Sequence, residues 1–228
     1  MVSERPLKVR LKTKKNRTVS QKRWLERQLN DPYVARAKRE GLRSRAAYKL
    51  IEIDDKYRLL KPGAHVVDLG AAPGGWSEIA ARRVGAGENK GKVVAIDILD
   101  MTPIAGVTFR RFDFLDPKAP AVLHEMLGGG ADIVLSDMAA NATGHKKTDQ
   151  LKIMALVEAG AEFAREVLRP GGSFLTKVLQ GGTEAKLLAE LKRDYTTVRH
   201  VKPQASRADS SELYLLASGF RGSAQPTR

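Results

Sequence analysis

The 228-residue chain contains no cysteine, and this absence excludes several kinds of chemistry. Disulfide bonds, thiolate zinc sites and a cysteine nucleophile are all ruled out. No stretch approaches the ~18 consecutive apolar residues that a membrane span needs. The charged N-terminus also lacks the apolar segment of a secretory signal. We therefore expect a cytoplasmic protein that does not bind a membrane.

Acidic residues are scarce in the first part of the chain. The net charge is +14, and residues 1–50 carry +12 of it, with 16 Lys and Arg against four acids. This distribution predicts a polyanionic partner. Residues 5–23 lack the apolar face of a membrane-surface helix, so nucleic acid is favoured over an anionic membrane. A merely solubilising tail is the alternative interpretation.

The pattern of apolar segments predicts one α/β domain. Residues 1–23 have few large apolar side chains and no periodicity, which is typical of a disordered basic extension. Residues 24–220 form the predicted domain, and 221–228 a short tail. Strand and helix patterns alternate with short connections, which predicts a doubly wound, mostly parallel sheet of seven strands. The last two strands are joined without a helix, which indicates a final antiparallel strand. Ser44 is predicted to be the N-cap of a helix that runs to about Tyr57, and residues 169–172 are predicted to form a sharp turn after the longest helix.

The stretch from Val66 to Ser77 passes from an apolar run through a Gly- and Pro-rich turn into a helical pattern. Such a loop follows the carboxyl end of a strand, where open α/β sheets bind ligands. Its glycines let the backbone approach a ligand closely. The dinucleotide fingerprint does not fit, because Ala72 stands where its second glycine belongs, and no phosphate-loop motif is present.

Four acids lie at or just after the ends of successive predicted strands. Since the carboxyl ends of parallel strands meet at one edge, we expect these side chains to line one crevice, although each alone is more often a turn residue. The acid after the second strand is placed to hydrogen-bond ribose hydroxyls. The four acids are Asp68, Asp97, Asp113 and Asp137.

Lys177 stands inside an apolar strand pattern, and lysine is seldom buried without a partner. We predict that it lies at the crevice beside Asp137; the alternative is a strand-end lysine that reaches solvent. No metal is expected, because the four histidines show no ligand spacing. They are His65, His124, His145 and His200.

The segment from Asp68 to Trp76 resembles the first motif of S-adenosylmethionine-dependent methyltransferases, and its Pro-Gly-Gly-Trp ending resembles the FtsJ/RrmJ family of RNA ribose 2′-O-methyltransferases. Four further segments resemble motifs of that family in order, so that the resemblance covers residues 24–219. Ala140 departs from the pattern, because many members have Pro there. The four segments are Gly41–Leu50, Ser136–Ala139, Gly171–Val178 and Ser206–Glu212.

The resemblance implies a Rossmann-like methyltransferase domain, S-adenosylmethionine as cofactor, and a uridine ribose of 23S rRNA as substrate. That RNA would be presented within the large ribosomal subunit or a late precursor, to a monomeric enzyme. The implied catalytic tetrad is Lys49, Asp137, Lys177 and Glu212. The implied cofactor contacts are Gly74, Trp76, Asp97, Asp113 and Asp137.

The sequence leaves the role of Lys177 and some rival functions open. Lys177 acts either as a deprotonated base or as a cation that stabilises an alkoxide. A base methyltransferase is disfavoured for two reasons. C5-pyrimidine methylation commonly uses a cysteine nucleophile, and the chain has no cysteine. Amino-group methylation usually shows an [ND]-P-P-[YF] motif, and the corresponding segment here is Ser136–Ala139. A cap-type ribose 2′-O-methyltransferase shares the tetrad, and a non-catalytic RNA-binding ribosome-assembly factor is the other alternative.

Overall fold

The computed structural model describes residues 19–88, 91–140, 143–181, 185–207 and 210–222. Residues 1–18 of the predicted disordered extension and the tail from residue 223 lie outside the described residues. Residues 19–23, which were also predicted to be disordered, instead belong to the first helix. The helices are α1 (Val19–Leu29), α2 (Pro32–Arg39), α3 (Ala46–Tyr57), α4 (Gly75–Val84), α5 (Ala119–Leu127), α6 (Lys146–Val167) and α7 (Ala185–Asp194). The strands are β1 (His65–Leu69), β2 (Lys92–Asp97), β3 (Val107–Arg111), β4 (Ala131–Ser136), β5 (Leu168–Leu179), β6 (Tyr195–Val201) and β7 (Glu212–Phe220).

The described strands form one seven-stranded sheet in the order β3-β2-β1-β4-β5-β7-β6. Strands β1 to β5 are parallel to one another, and β7 is antiparallel to both β5 and β6. The predicted doubly wound sheet with an antiparallel strand is therefore confirmed. The chain proceeds from β1 to β2 and β3 on one side and returns to β4 on the other. This reversal opens a crevice beyond the carboxyl ends of β1 and β4.

Helices cover both faces of the sheet, because the strands carry apolar side chains on both faces. Val67 and Leu69 pack in a core cluster with α5, α6 and α7. Val66 packs on the opposite face, in a cluster with α3 and α4. Asp68 occupies the same face as Val66, since strand side chains alternate with period two. No described helix is long and apolar enough to cross a membrane.

The start of α3 differs from the prediction. Ser44 is a favourable N-cap residue, but α3 begins at Ala46, and its N-cap Arg45 makes no side-chain capping bond. The Ser44 hydroxyl instead lies directly against Gly75, where any side chain on Gly75 would collide with it. Close packing between the entry to α3 and the start of α4 therefore overrides the capping preference.

The predicted turn at residues 169–172 is a bulge inside β5. Leu168 already pairs with Ala131 of β4, and regular pairing resumes between Ser173 and Ile133. Four residues of β5 thus lie opposite Asp132, whose carboxylate binds Arg169 at 3.1 Å. The Pro-Gly-Gly sequence bends the strand here without ending it, as bulges do.

Candidate active site

The loop after β1 requires glycine at two positions. Gly70 has φ +77° and Gly74 has φ +104°, both in the left-handed region that disfavours other residues. A Cβ on Gly70 would lie 2.7 Å from the side chain of Met138. A Cβ on Gly74 would lie 2.8 Å from the side chains of Met101 and Ile104. The backbone of the loop therefore packs directly against Met138, Met101 and Ile104, and a side chain at either glycine would collide with them.

Asp97 ends β2 and fixes the glycine loop. Its Oδ2 accepts the backbone N–H of Ala72 at 2.9 Å, and its Oδ1 accepts that of Leu99 at 2.8 Å. Each carboxylate oxygen can accept a further hydrogen bond, so Asp97 remains able to bind a ligand hydroxyl. Asp113 lies beyond β3 at the same edge, is exposed, and accepts the N–H of Leu115 at 2.9 Å.

Asp68 is completely buried inside β1. Ser77 Oγ donates a hydrogen bond of 2.5 Å to its Oδ2, while Oδ1 has no partner among the described residues. Burial raises the pKa of Asp68 to about 7; the negative charges of Asp137 and Asp97 add to this rise, and the Ser77 hydrogen bond opposes it. The interior of the crevice therefore favours a cationic ligand, whose charge would relieve the repulsion.

The structure brings the four residues of the implied tetrad together at the carboxyl ends of β4 and β5. Lys177 is buried, and its Nζ donates to the Asp137 carbonyl at 2.6 Å and to Asp137 Oδ1 at 3.1 Å. Lys49, from α3, forms an ion pair of 2.7 Å with Glu212 at the start of β7. The tetrad thus consists of two lysine–carboxylate pairs.

Tyr214 joins the two pairs and was not among the predicted site residues. Its hydroxyl donates to Asp137 Oδ1 at 2.8 Å and lies 3.3 Å from Glu212 Oε1. Burial raises the pKa of Tyr214 well above its ordinary value, and the charges of Asp137 and Glu212 raise it further, so the hydroxyl keeps its proton. Its position two residues after Glu212, on the same face of a strand, was the available signal.

Asp137 is the centre of this arrangement. Burial alone raises the pKa of its carboxyl, but the charges of Lys177 and Lys49 and the hydrogen bond from Tyr214 outweigh burial and hold that pKa below its ordinary value. Asp137 is therefore ionised at neutral pH. A buried carboxylate of this kind depends on its partners, because losing one leaves an uncompensated charge.

The side chain of Trp76 packs against Tyr214. It is buried, its indole N–H donates to the carbonyl of Ala46 at 2.9 Å, and its ring lies 5.4 Å from that of Tyr214. Trp76 is the second residue of α4, so its backbone N–H is among those that lack a helical acceptor. A contact between Trp76 and the cofactor would accordingly use this backbone group.

A basic cavity of about 340 Å³ opens beside the tetrad. Asp31, the N-cap of α2, binds Arg45 at 2.8 Å and Arg207 at 3.2 Å, and so fixes two guanidinium groups at its wall. No metal-binding cluster of His, Asp and Glu occurs in the part of the chain that the structure describes. The cavity is lined by Arg27, Gln28, Arg45, Lys49, Arg207, Ser210 and Glu212.

The sheet order and the glycine loop at its switch point define a Rossmann-like methyltransferase. A crystal structure from Plasmodium falciparum, named as a ribosomal RNA methyltransferase, has the same fold. It matches with a TM-score of 0.70 and 31% identity over 79% of this chain and 100% of that chain.

The family model of the FtsJ-like methyltransferases matches residues 42–220, and the chain belongs to this family of S-adenosylmethionine-dependent enzymes. A relative from Azorhizobium caulinodans, named ribosomal RNA large subunit methyltransferase E, is 67% identical over 98% of this chain and 93% of its own length. A relative of the same name from Bradyrhizobium is 70% identical over 94% and 93%, respectively. These findings confirm the predicted family and the predicted enzyme class.

The raised pKa of Asp68 predicts a pH-dependent stability that Asp68→Asn removes. Because the native state holds the Asp68 proton at pH values where the unfolded chain has lost it, the free energy of unfolding falls as pH rises from the ordinary pKa to about 7. Asn keeps an oxygen that accepts the Ser77 hydrogen bond. Between pH 5 and pH 8, the free energy of unfolding of wild type should fall by about 2–3 kcal/mol more than that of Asp68→Asn. Urea unfolding without cofactor measures both. Parallel pH profiles for the two proteins would contradict this.

Removing the hydroxyl of Tyr214 tests the link between the two pairs. In Tyr214→Phe, Asp137 loses a hydrogen bond that lowers its pKa, so the acidic limb of the pH–rate profile should move to higher pH. The loss of a hydrogen bond to a charged group should also reduce methyl transfer roughly 10-fold or more.

Tyr195 supplies the matched control, since its buried hydroxyl has no partner among the described residues. Tyr195→Phe should leave both the rate and its pH profile at wild-type values. An unshifted acidic limb in Tyr214→Phe would show that the hydroxyl does not support Asp137.

Proposed function

We propose that this protein transfers a methyl group from S-adenosylmethionine to the 2′-hydroxyl of a uridine ribose in large-subunit 23S rRNA. The observation that carries the proposal is the continuous polar chain from Lys177 through Asp137, Tyr214 and Glu212 to Lys49. The names of the relatives from Azorhizobium caulinodans and Bradyrhizobium support ribosomal RNA over a cap as the substrate. The intact polar chain argues against a non-catalytic assembly factor.

The crevice fits S-adenosylmethionine on structural grounds. The cofactor carries a sulfonium and an ammonium group, which suit a crevice whose carboxylates repel one another and whose Asp68 Oδ1 lacks a partner among the described residues. When bound, it supplies an electrophilic methyl group. We assign its binding to Gly74, to the backbone of Trp76, to Asp97, which still has capacity for ribose hydroxyls, and to Asp113 and Asp137.

Lys177 is assigned to the reacting hydroxyl. A ribose 2′-hydroxyl is a poor nucleophile until its proton leaves or its developing charge is stabilised. Two hydrogen bonds to Asp137 occupy two of the tetrahedral positions around Lys177 Nζ. In the neutral amine, the third position is a lone pair that can accept the hydroxyl proton. In the ammonium form, the third position is an N–H that can stabilise the alkoxide. In both states Asp137 acts by holding Nζ in place.

The second pair is assigned to positioning the RNA. Glu212 holds Lys49 at 2.7 Å and also accepts a hydrogen bond from Ser206 at 3.1 Å, so the Lys49 ammonium is fixed at the mouth of the basic cavity. Arg45 and Arg207 extend this positive surface, and the sequence before residue 50 adds to it. Such a surface attracts phosphates without reading sequence.

The biological setting belongs to the same proposal. We infer that the RNA is presented within the large ribosomal subunit or a late precursor of it, in the cytoplasm, and that the protein acts as a monomer. The basic N-terminal segment is the part of the sequence best suited to grip an RNA surface larger than the cavity.

Two substitutions should separate catalysis from cofactor binding. Lys177→Ala should reduce methyl transfer to RNA by about 100-fold or more, with nearly unchanged affinity for S-adenosylmethionine, because Lys177 acts on the hydroxyl. Asp97→Ala should weaken cofactor binding by ~1.5–3 kcal/mol. Transfer of a labelled methyl group and calorimetric titration give the two readouts.

The exposed Lys186 provides a control, and Lys186→Ala should change neither readout. Cofactor binding by Lys177→Ala also shows that this variant is folded. If Lys177→Ala kept transfer within a few-fold of wild type, the assignment of Lys177 to the reacting hydroxyl would be wrong.

A further inference from the structure

A second groove lies at the amino ends of the parallel strands, whereas the active site lies at their carboxyl ends. It has a volume of about 670 Å³ and is formed around the amino ends of β1, β4 and β5. Its walls come from the end of α3 and the following turn, residues 57–64, from the bulge of β5, residues 169–173, and from Asp132 and Gly219. We call it the far groove, because the crevice lies beyond the carboxyl ends of the same strands.

The far groove is positively charged, although the chain beyond residue 50 carries a net charge of only +2. Arg58, Lys61 and Arg169 line it, and Asp132 is the one acid among its lining residues. Lys56 and Arg199 lie beside it, each about 5.5 Å from the ring centre of Tyr57. Five cations from three separate segments therefore gather around one groove; they are Lys56, Arg58, Lys61, Arg169 and Arg199.

Two of the three cations that line the groove are available to a ligand. Arg169 is held by Asp132 at 3.1 Å, and that ion pair neutralises the one acid of the groove. Arg58 and Lys61 are both exposed, and neither forms an ion pair within the described residues. Arg58 is held in the left-handed region at φ +54°, so the backbone that presents its side chain is fixed by the end of α3.

Helix α3 connects the far groove with the active site. Lys49 lies near its start, in the tetrad, and Tyr57 is its last residue, at the wall of the far groove. Eight residues of α-helix rise by about 12 Å. A folded RNA whose target nucleotide enters the crevice can therefore also reach the far groove along this helix.

We propose that the far groove binds phosphates of the substrate RNA at a distance from the methylated nucleotide, through Arg58 and Lys61. This inference rests on the proposed function. A groove with an excess of exposed cations over acids suits the RNA backbone, which is bound through its charge. The two contacts position the RNA relative to Lys49 and take no part in methyl transfer.

The test removes the two free cations while keeping the backbone. Arg58→Asn suits the left-handed conformation, which Asn adopts more readily than most residues, and Lys61→Gln keeps a polar side chain. Affinity is measured against salt concentration with full-length protein and large ribosomal subunits isolated from cells that lack this protein. The double variant should lose about 0.7–0.9 in log–log slope per phosphate contact, or ~1.4–1.8 in all, with an unchanged rate at saturating RNA.

The control removes the same amount of charge from helices α6 and α7. These helices cover the face of the sheet opposite to the one that α3 and α4 cover. Lys152 and Lys186 are exposed on those helices, and Lys152→Gln with Lys186→Gln should leave the slope nearly unchanged. Equal slopes for the groove variant, the control variant and wild type would overturn the far groove as an RNA site. If wild type itself failed to methylate the 23S rRNA of these subunits, the proposed function would fail instead, so the two failures are distinguishable.

Discussion

The hydrogen bonds from Lys177 to Asp137 are the contacts on which the rest of the site depends. They join the ends of two adjacent parallel strands, β4 and β5, at a depth where neither charge could remain alone. The lysine keeps the carboxyl of Asp137 ionised against the effect of burial, and Asp137 in turn fixes the direction of the lysine Nζ. Positioning of this kind supplies much of the rate when a methyl group must meet an oxygen in line.

Tyr214 extends this pair into a network because β7 runs antiparallel between β5 and β6. The register places Tyr214 directly opposite Lys177, so that both side chains are on the same face of the sheet. Glu212 lies two residues before Tyr214 on that face and forms the ion pair with Lys49 of α3. The antiparallel strand is therefore what connects the Lys177–Asp137 pair to helix α3.

Much of the fold could be predicted from the sequence, because its signals are local. Alternating β and α segments determine a doubly wound sheet, and acids at strand ends fall at one edge in any such sheet. That Lys177 lies beside Asp137 follows from the adjacency of their strands. The wrong predictions, the Ser44 cap and the turn at residues 169–172, concern places where packing or strand pairing overrides a local preference.

The features that escaped prediction depend on long-range register and folding. The spacing of two residues from Glu212 places Tyr214 on the same face of the strand, but its partner Lys177 follows only from the strand register. The far groove brings together Arg58 and Arg169 from segments more than a hundred residues apart. The net charge of the chain beyond residue 50 therefore does not reveal this local excess of positive charge. The partnerless oxygen of Asp68 likewise appears only when its surroundings are known.

The most direct test of the account is a map of ribose methylation in the 23S rRNA of cells that lack this protein. We expect 2′-O-methylation to disappear at one uridine and to return when the full chain is restored. A map in which every 2′-O-methyl group remains at its normal level, with the protein shown to be absent, would contradict the central claim.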